Sequence, residues 1–160
     1  MSEKYQNLKD LSSKYVSDIY DKKVVIKVQT GTSGQAVGAD EIFQSLSSKS
    51  SDKINILEVG SMGLMYLEPM IVVHLPSNVK IFYANVDLDI ANSIYNHYLK
   101  SKNIFKQNAF AYDSNSSLDI DIPSINDLPQ FSNQLRIATR NFGEITPGDI
   151  FQYINQDGYA

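Results

Sequence analysis

The sequence predicts an α/β domain whose sheet mixes parallel and antiparallel strands. Three observations carry that expectation. Apolar residues make up 42% and charged residues 20% of the 160 positions, the composition of an ordinary globular chain long enough for one core. Short runs rich in β-branched residues alternate with stretches of helical periodicity. The spacers also differ, because a helix-length segment separates the first two runs and only Ser77-Asn78 separates the last two.

Residues 4–20 place Leu8, Leu11, Tyr15 and Ile19 at three- and four-residue steps, which predicts an amphipathic helix. "VVIKVQ" (24–29) is a strand by β-propensity, and Gly31, Gly34 and Gly38 punctuate the loop after it. A helix from about Ala39 turns Ile42, Phe43 and Leu46 inward and ends in the serine cluster "SLSSKSSD". "INILEV" (54–59) is a second strand. After "GSMGLMYLEP" (60–69), the run "PMIVVHLP" is a third, with Pro69 at its head where no ladder hydrogen bond is lost. The two-residue link pairs it with "VKIFYANV" as a hairpin. Asp87 is the expected N-cap of a helix whose apolar stripe is Ala91, Ile94, Tyr95, Tyr98 and Leu99.

From about residue 103 the chain turns polar and weakly periodic, as a connector does. Pattern returns near the end, where "TPGDIFQYI" predicts a short helix with Thr146 as N-cap and Pro147 at the first helical position. The element order joins a parallel, right-handed βαβ unit to an antiparallel ββα unit. That is the thioredoxin-like arrangement, a sandwich of helices on a mixed four-stranded sheet. The expected organisation is an N-terminal helix over 1–21, the thioredoxin-like domain over 22–102, a connector over 103–131, and a segment over 132–160 that leads into a further domain.

The net charge of -4 and the pI near 5.0 argue against a nucleic-acid partner. No run is apolar for long enough to insert in a membrane, and the polar N-terminus has no signal-peptide core, so the expected location is cytoplasmic. The chain has no cysteine, which removes thiolate catalysis, disulfides and cysteine-held clusters from its own chemistry. His74 and His97 stand apart from each other and from any carboxylate at ligand spacing, so both read as structural.

Few residues are left to carry a reaction. The loop "GTSGQAVGAD" fits neither the GxGxxG nor the P-loop spacing, and Asp40 and Glu41 would repel a phosphate. Asp87 with Asp89 and Asp119 with Asp121 read as solvated surface. Glu68 reads as a carboxylate that accepts backbone N–H groups from a tight loop. Arg136 and Arg140, four apart, suit an acidic partner, a nucleotide phosphate or attachment to a neighbouring domain.

Three stretches resemble a known family. "VVIKVQTGTSGQAVGADEI", "EVGSMGLMYLEPMIVV" and "QLRIATRNFGEITPGDIFQYINQDGY" together look like the N-terminal part of the NADH-oxidising flavoprotein subunit. That subunit occurs in respiratory complex I, NAD-reducing hydrogenases and NAD-dependent formate dehydrogenases. The resemblance covers about residues 22–160, and its final segment is the most specific. Many relatives hold a [2Fe–2S] cluster here on four cysteines, in a 2Fe-2S ferredoxin-like version of the fold. Those positions fall on Gln29, Gly34, Ser61 and Met65, none of which supplies a thiolate. The cluster-free pattern is most similar to the beta subunit of NAD-dependent formate dehydrogenase.

The resemblance implies a structural, docking role and no catalysis by this chain alone, whose parent would be an NADH dehydrogenase-type oxidoreductase. It implies no cofactor here, because FMN, NAD and a [4Fe–4S] cluster belong to a flavin domain downstream of residue 160. A chain of this extent would be an excised domain or a truncated product. Its implied partners are that flavin domain and a small thioredoxin-like subunit. Phe142, Ile150, Phe151, Tyr153 and Ile154, with Arg136 and Arg140, would form the contact surface. Left exposed, the apolar tail offers a route to a homodimer. The alternative is a stand-alone thioredoxin-like adaptor without redox activity.

Overall fold

Five strands form one open sheet in the computed structural model, which describes residues 3–160. The elements run α1 (Glu3–Tyr20), β1 (Val24–Gln29), α2 (Thr32–Ala36), α3 (Ala39–Ser47), β2 (Ile54–Val59), β3 (Ile71–His74), β4 (Lys80–Tyr83), α4 (Leu88–Lys100), β5 (Ala109–Asp113), α5 (Pro129–Ser132) and α6 (Ile150–Asn155). Single 3-10 turns lie at Met65–Leu67 and Ile125–Asp127. The sheet order is β2-β1-β3-β4-β5, with β1 and β2 parallel and the other pairs antiparallel. The expected parallel unit and the β3–β4 hairpin are both present. Residues 1 and 2 of the expected N-terminal helix lie outside the described residues.

The expectation of four strands is corrected to five. Within the polar stretch expected to connect, "AFAYD" adds β5 to the edge of β4, with Lys80 opposite Asp113 and Ile81 opposite Tyr112. Backbone ladder bonds make that strand, and only Ala111 and Tyr112 need to be buried. Four of its five residues are apolar and consecutive, so the short run shows no apolar–polar alternation and its pairing to β4 is what makes it a strand.

Side chains alternate across each strand, so the sheet has two distinct faces. One face presents Ile26, Val28, Ile71, Val73, Ile81 and Tyr83 to α3 and α4, which contribute Ala39, Ile42, Leu46, Ala91, Ile94 and Tyr98. The Tyr83 hydroxyl bonds Tyr98 Oη at 2.7 Å and the Phe105 carbonyl at 2.8 Å, which keeps these buried phenols satisfied. Asp87 caps α4 as expected, accepting from Ile90 N at 2.8 Å.

The other face mixes apolar and polar residues. Val72, Phe82, Ala111 and Ile125 make a small cluster, flanked by Met62, Phe110, Leu128 and Phe131. Lys27 and Gln29, two apart on β1, are both buried there. Helix α1 and the C-terminal arm cover the rest. The two are tied by Tyr5 Oη donating to the Gly158 carbonyl at 2.7 Å, by a Lys9–Asp157 ion pair, and by the Tyr15 and Phe151 rings at 5.3 Å.

Two local expectations are corrected. The stripe Leu8, Leu11 and Tyr15 is exposed, and α1 turns Ser12 inward instead, its hydroxyl donating to the Leu8 carbonyl at 2.8 Å. The arm under α1 offers polar partners such as Asp149, Asp157 and the Gly158 carbonyl, so it does not demand an apolar stripe. Helix α6 starts at Ile150 with Asp149 as N-cap, leaving Thr146 and Pro147 outside. Asp149 Oδ1 takes Gln152 N at 3.0 Å, the bond that Thr146 would have had to make one turn earlier.

Candidate functional site

The loops after β1 and β2 meet at one end of the sheet. Gly34, in α2, comes so close to β1 that an added Cβ would stand 2.3 Å from the Gln29 carbonyl oxygen. An added Cβ at Gly31 would lie 3.0 Å from Ser61 Cβ, so the two loops are in contact. Gln29 is fully buried and its Oε1 accepts from Met62 N at 3.0 Å, which pins the second loop to the end of β1. Ser61 Oγ donates to Glu68 Oε1 at 2.5 Å and accepts from Gly63 N at 3.1 Å. The peptide bond between Glu68 and Pro69 is cis.

Glu68 is buried, and the hydroxyl of Ser61 takes the place of the expected backbone donors. Among the described residues its Oε2 and the Nε2 of Gln29 have no hydrogen-bond partner. Of the four positions matched to cluster ligands, Gln29, Gly34 and Ser61 are drawn together by these loops. Met65 is 66% exposed in the 3-10 turn and points to solvent. An amide, a glycine, a hydroxyl and a thioether do not fit a [2Fe–2S] cluster, whose irons need thiolates or imidazoles. Among the described residues no group of His, Asp or Glu is placed to hold a metal ion.

A cleft of about 570 Å³ lies beside Pro69 and is lined by Glu41, Asp87 and Asp89, with Val37, Ile42 and Leu88. The acidic residues stand in or beside the first turns of α3 and α4, where they complement the helix dipoles. The residues lining this cleft include no serine, threonine, histidine or lysine.

The polar face of the sheet holds a second constellation, built from residues far apart in the chain. Lys27 Nζ donates to the Glu144 carbonyl at 3.0 Å and to its Oε2 at 2.9 Å. Lys80 Nζ donates to Glu144 Oε1 at 2.7 Å and lies 3.5 Å from Asp113 Oδ2. One carboxylate of the arm therefore bridges β1 and β4. Burial alone would raise the Glu144 carboxyl, yet the two ammonium groups outweigh it and hold it down at about 2. His74, on β3 between them, is pushed down to about 4 by burial and then by the positive charges of Lys27 and Lys80. It is a neutral imidazole packed on Tyr20, ring centroids 5.0 Å apart. His97 lies at the surface, its Nε2 2.7 Å from the Asn103 carbonyl.

The arm residues expected to make contacts divide into two groups. Phe142 is 52% exposed, and Ile150, Phe151 and Tyr153 are also open to solvent, with Leu135 and Ile137 more exposed still. Ile154 is corrected: it is buried, as the inward residue of α6. Arg136 is half-buried and Arg140 is exposed, and both are already engaged within the arm. Arg136 donates to the Thr139 carbonyl at 2.8 Å and sits 5.6 Å from the Phe131 ring centre, and Arg140 donates to the Gln156 carbonyl at 2.9 Å.

The arm is thus anchored by Glu144 and α6 while Leu135, Ile137, Phe142, Ile150, Phe151 and Tyr153 are open to solvent. Lys27, Lys80, Glu144 and Asp149 are not legible as anchors in the sequence, because the partners that make them so lie far away along the chain. A lysine inside "VVIKVQ" was the one available signal, since a strand buried on both faces must neutralise it. No family model matches the chain, and no curated protein matches it. No helix among the described residues is long and apolar enough to cross a membrane.

Proposed function

We propose that this chain is a docking domain with no redox centre of its own, the N-terminal thioredoxin-like part of an NADH dehydrogenase-type flavoprotein subunit, nearest to that of NAD-dependent formate dehydrogenase. The observation that carries the reading is the arm. Its apolar residues Leu135, Ile137 and Phe142 face solvent, yet the segment is tied to the sheet through Glu144. A fixed backbone that presents large apolar side chains is what a contact surface requires. The loops at Gln29, Gly34 and Ser61 support the same reading, because they keep a close-packed turn and carry no metal-binding thiolates. In this reading the flavin domain of the parent covers the arm, a small thioredoxin-like subunit is the second partner, and FMN, NAD and a [4Fe–4S] cluster belong to the flavin domain.

The test is binding by calorimetry between the 160-residue protein and a separately expressed FMN-binding domain of a formate dehydrogenase beta subunit. Saturable binding is expected, weakened at least tenfold by Phe142→Ser with Ile137→Ser. No binding, or binding indifferent to those substitutions, would turn the reading towards an independent adaptor. Anaerobic reconstitution with iron and sulfide is expected to leave the chain colourless, and a bound chromophore would overturn the proposal.

A further inference from the structure

The exposed flank of α1 is a separate surface. Leu8, Leu11 and Tyr15 are 37%, 61% and 42% exposed, and their three- and four-residue spacing lines them up as one stripe. Phe151 of α6 borders it, 37% exposed, through the ring contact with Tyr15. Only Tyr15 of the stripe also ties α1 to the arm, through Phe151 and Asp149; Leu8 and Leu11 are not needed for the helix's own packing, because Ser12 and its half-buried neighbours Tyr5, Val16 and Ile19 face the body.

The charges at the two ends of the stripe say what fits it. Lys4 precedes Leu8 by one turn and Asp18 follows Tyr15 by one turn, so the apolar seam is closed by a cation at one end and an anion at the other. Both are exposed, and neither makes an ion pair among the described residues. Each also stands at the wrong end for α1 itself. A helix favours anions in its first turn and cations in its last, and the last turn of α1 has no basic residue.

A neighbouring helix laid antiparallel answers both defects, since it brings Lys4 of one chain to Asp18 of the other. A parallel neighbour would oppose like charges. We propose that the Leu8–Leu11–Tyr15 flank of α1 pairs antiparallel with the same flank of a second copy of this chain. The contact is isologous and closed, each copy supplying the same stripe and both end charges. It uses α1 and not the arm between 135 and 142, so its failure is distinguishable from failure of the docking role.

Sedimentation equilibrium over roughly 1 to 500 µM protein decides the matter, a range that brackets micromolar self-association. A concentration-dependent dimer, weakened by salt, is expected. Leu11→Glu changes an exposed residue, so circular dichroism should stay unchanged while the dimer constant weakens at least tenfold. Lys4→Asp should weaken the dimer about threefold, and Lys4→Asp combined with Asp18→Lys should restore it. That rescue is the signature of the antiparallel pair. A monomer throughout overturns the proposal. So does a dimer indifferent to Leu11→Glu, or one in which the charge exchange gives no rescue. Co-sedimentation of a monomeric protein with phosphatidylglycerol vesicles, lost in Leu11→Glu, would assign the stripe to a lipid surface instead and equally overturn it.

Discussion

A methyl group at position 34 would stand 2.3 Å from the Gln29 carbonyl oxygen, a distance that no Cβ tolerates against backbone. The neighbour is the rigid end of β1, so relief must come from moving α2. Gly34→Ala should therefore destabilise the fold by about 2 kcal/mol or more, within the range of overpacking. Urea denaturation followed by circular dichroism measures it, and an unchanged midpoint would remove the close approach from the account. In the sequence Gly34 is legible as a loop marker and as a position matched to a cluster ligand. Its steric role is not, because a close approach between backbone segments is not written in residue spacing. Gln29 shows the same limit: its place at a strand end was legible, but its grip on Met62 N was not.

The long, periodic elements could be read directly. The helix after Asp87 begins and ends close to expectation, because its cap and stripe are both local signals. Strand β5 and the start of α6 could not, since one is set by pairing to β4 and the other by a choice between two capping residues three apart. Helix α1 was found with the wrong face inward. Its periodicity was sound, yet a stripe of apolar residues does not say which surface it will meet. The cap of α6 matters more than its six residues suggest. Asp149 accepts from Gln152 N and Gln152 Nε2, and also takes the Tyr15 hydroxyl of α1 at 2.9 Å. Asp149→Ala should cost about 1–2 kcal/mol through the lost cap. It should also raise amide exchange in α1 and α6 together while leaving β1 and β3 protected, which a lost cap confined to α6 would not do.

At the scale of the whole molecule, the polar face of the sheet makes stability depend on acid. His74 has its pKa lowered from 6.5 to about 4, so between those values the unfolded chain binds the proton that the folded chain refuses. Its contribution is complete above pH 6.5 and is lost as pH falls towards 4. Glu144 behaves in the same direction for the opposite reason. Its carboxyl is lowered from 4.5 to about 2, so the stability from its bridge to Lys27 and Lys80 is complete above pH 4.5 and lost on descent to 2. The two windows adjoin, and stability should decline continuously from about pH 6.5 downward. His74→Gln separates them. It should flatten the upper part of the decline, whose full span is up to about 3 kcal/mol at 1.36 kcal/mol per pH unit, and leave the lower part in place. Because Glu144 is the arm's tie to β1 and β4, the lower part should begin with the arm and α1 leaving the sheet while α3 and α4 remain packed on the other face. Loss of the Tyr15–Phe151 contact before loss of strand signal, followed by aromatic near-ultraviolet and far-ultraviolet dichroism from pH 7 to 2, is the expected sequence. Coincident loss of both signals, in one transition that His74→Gln does not alter, would mean that neither group controls the acid response.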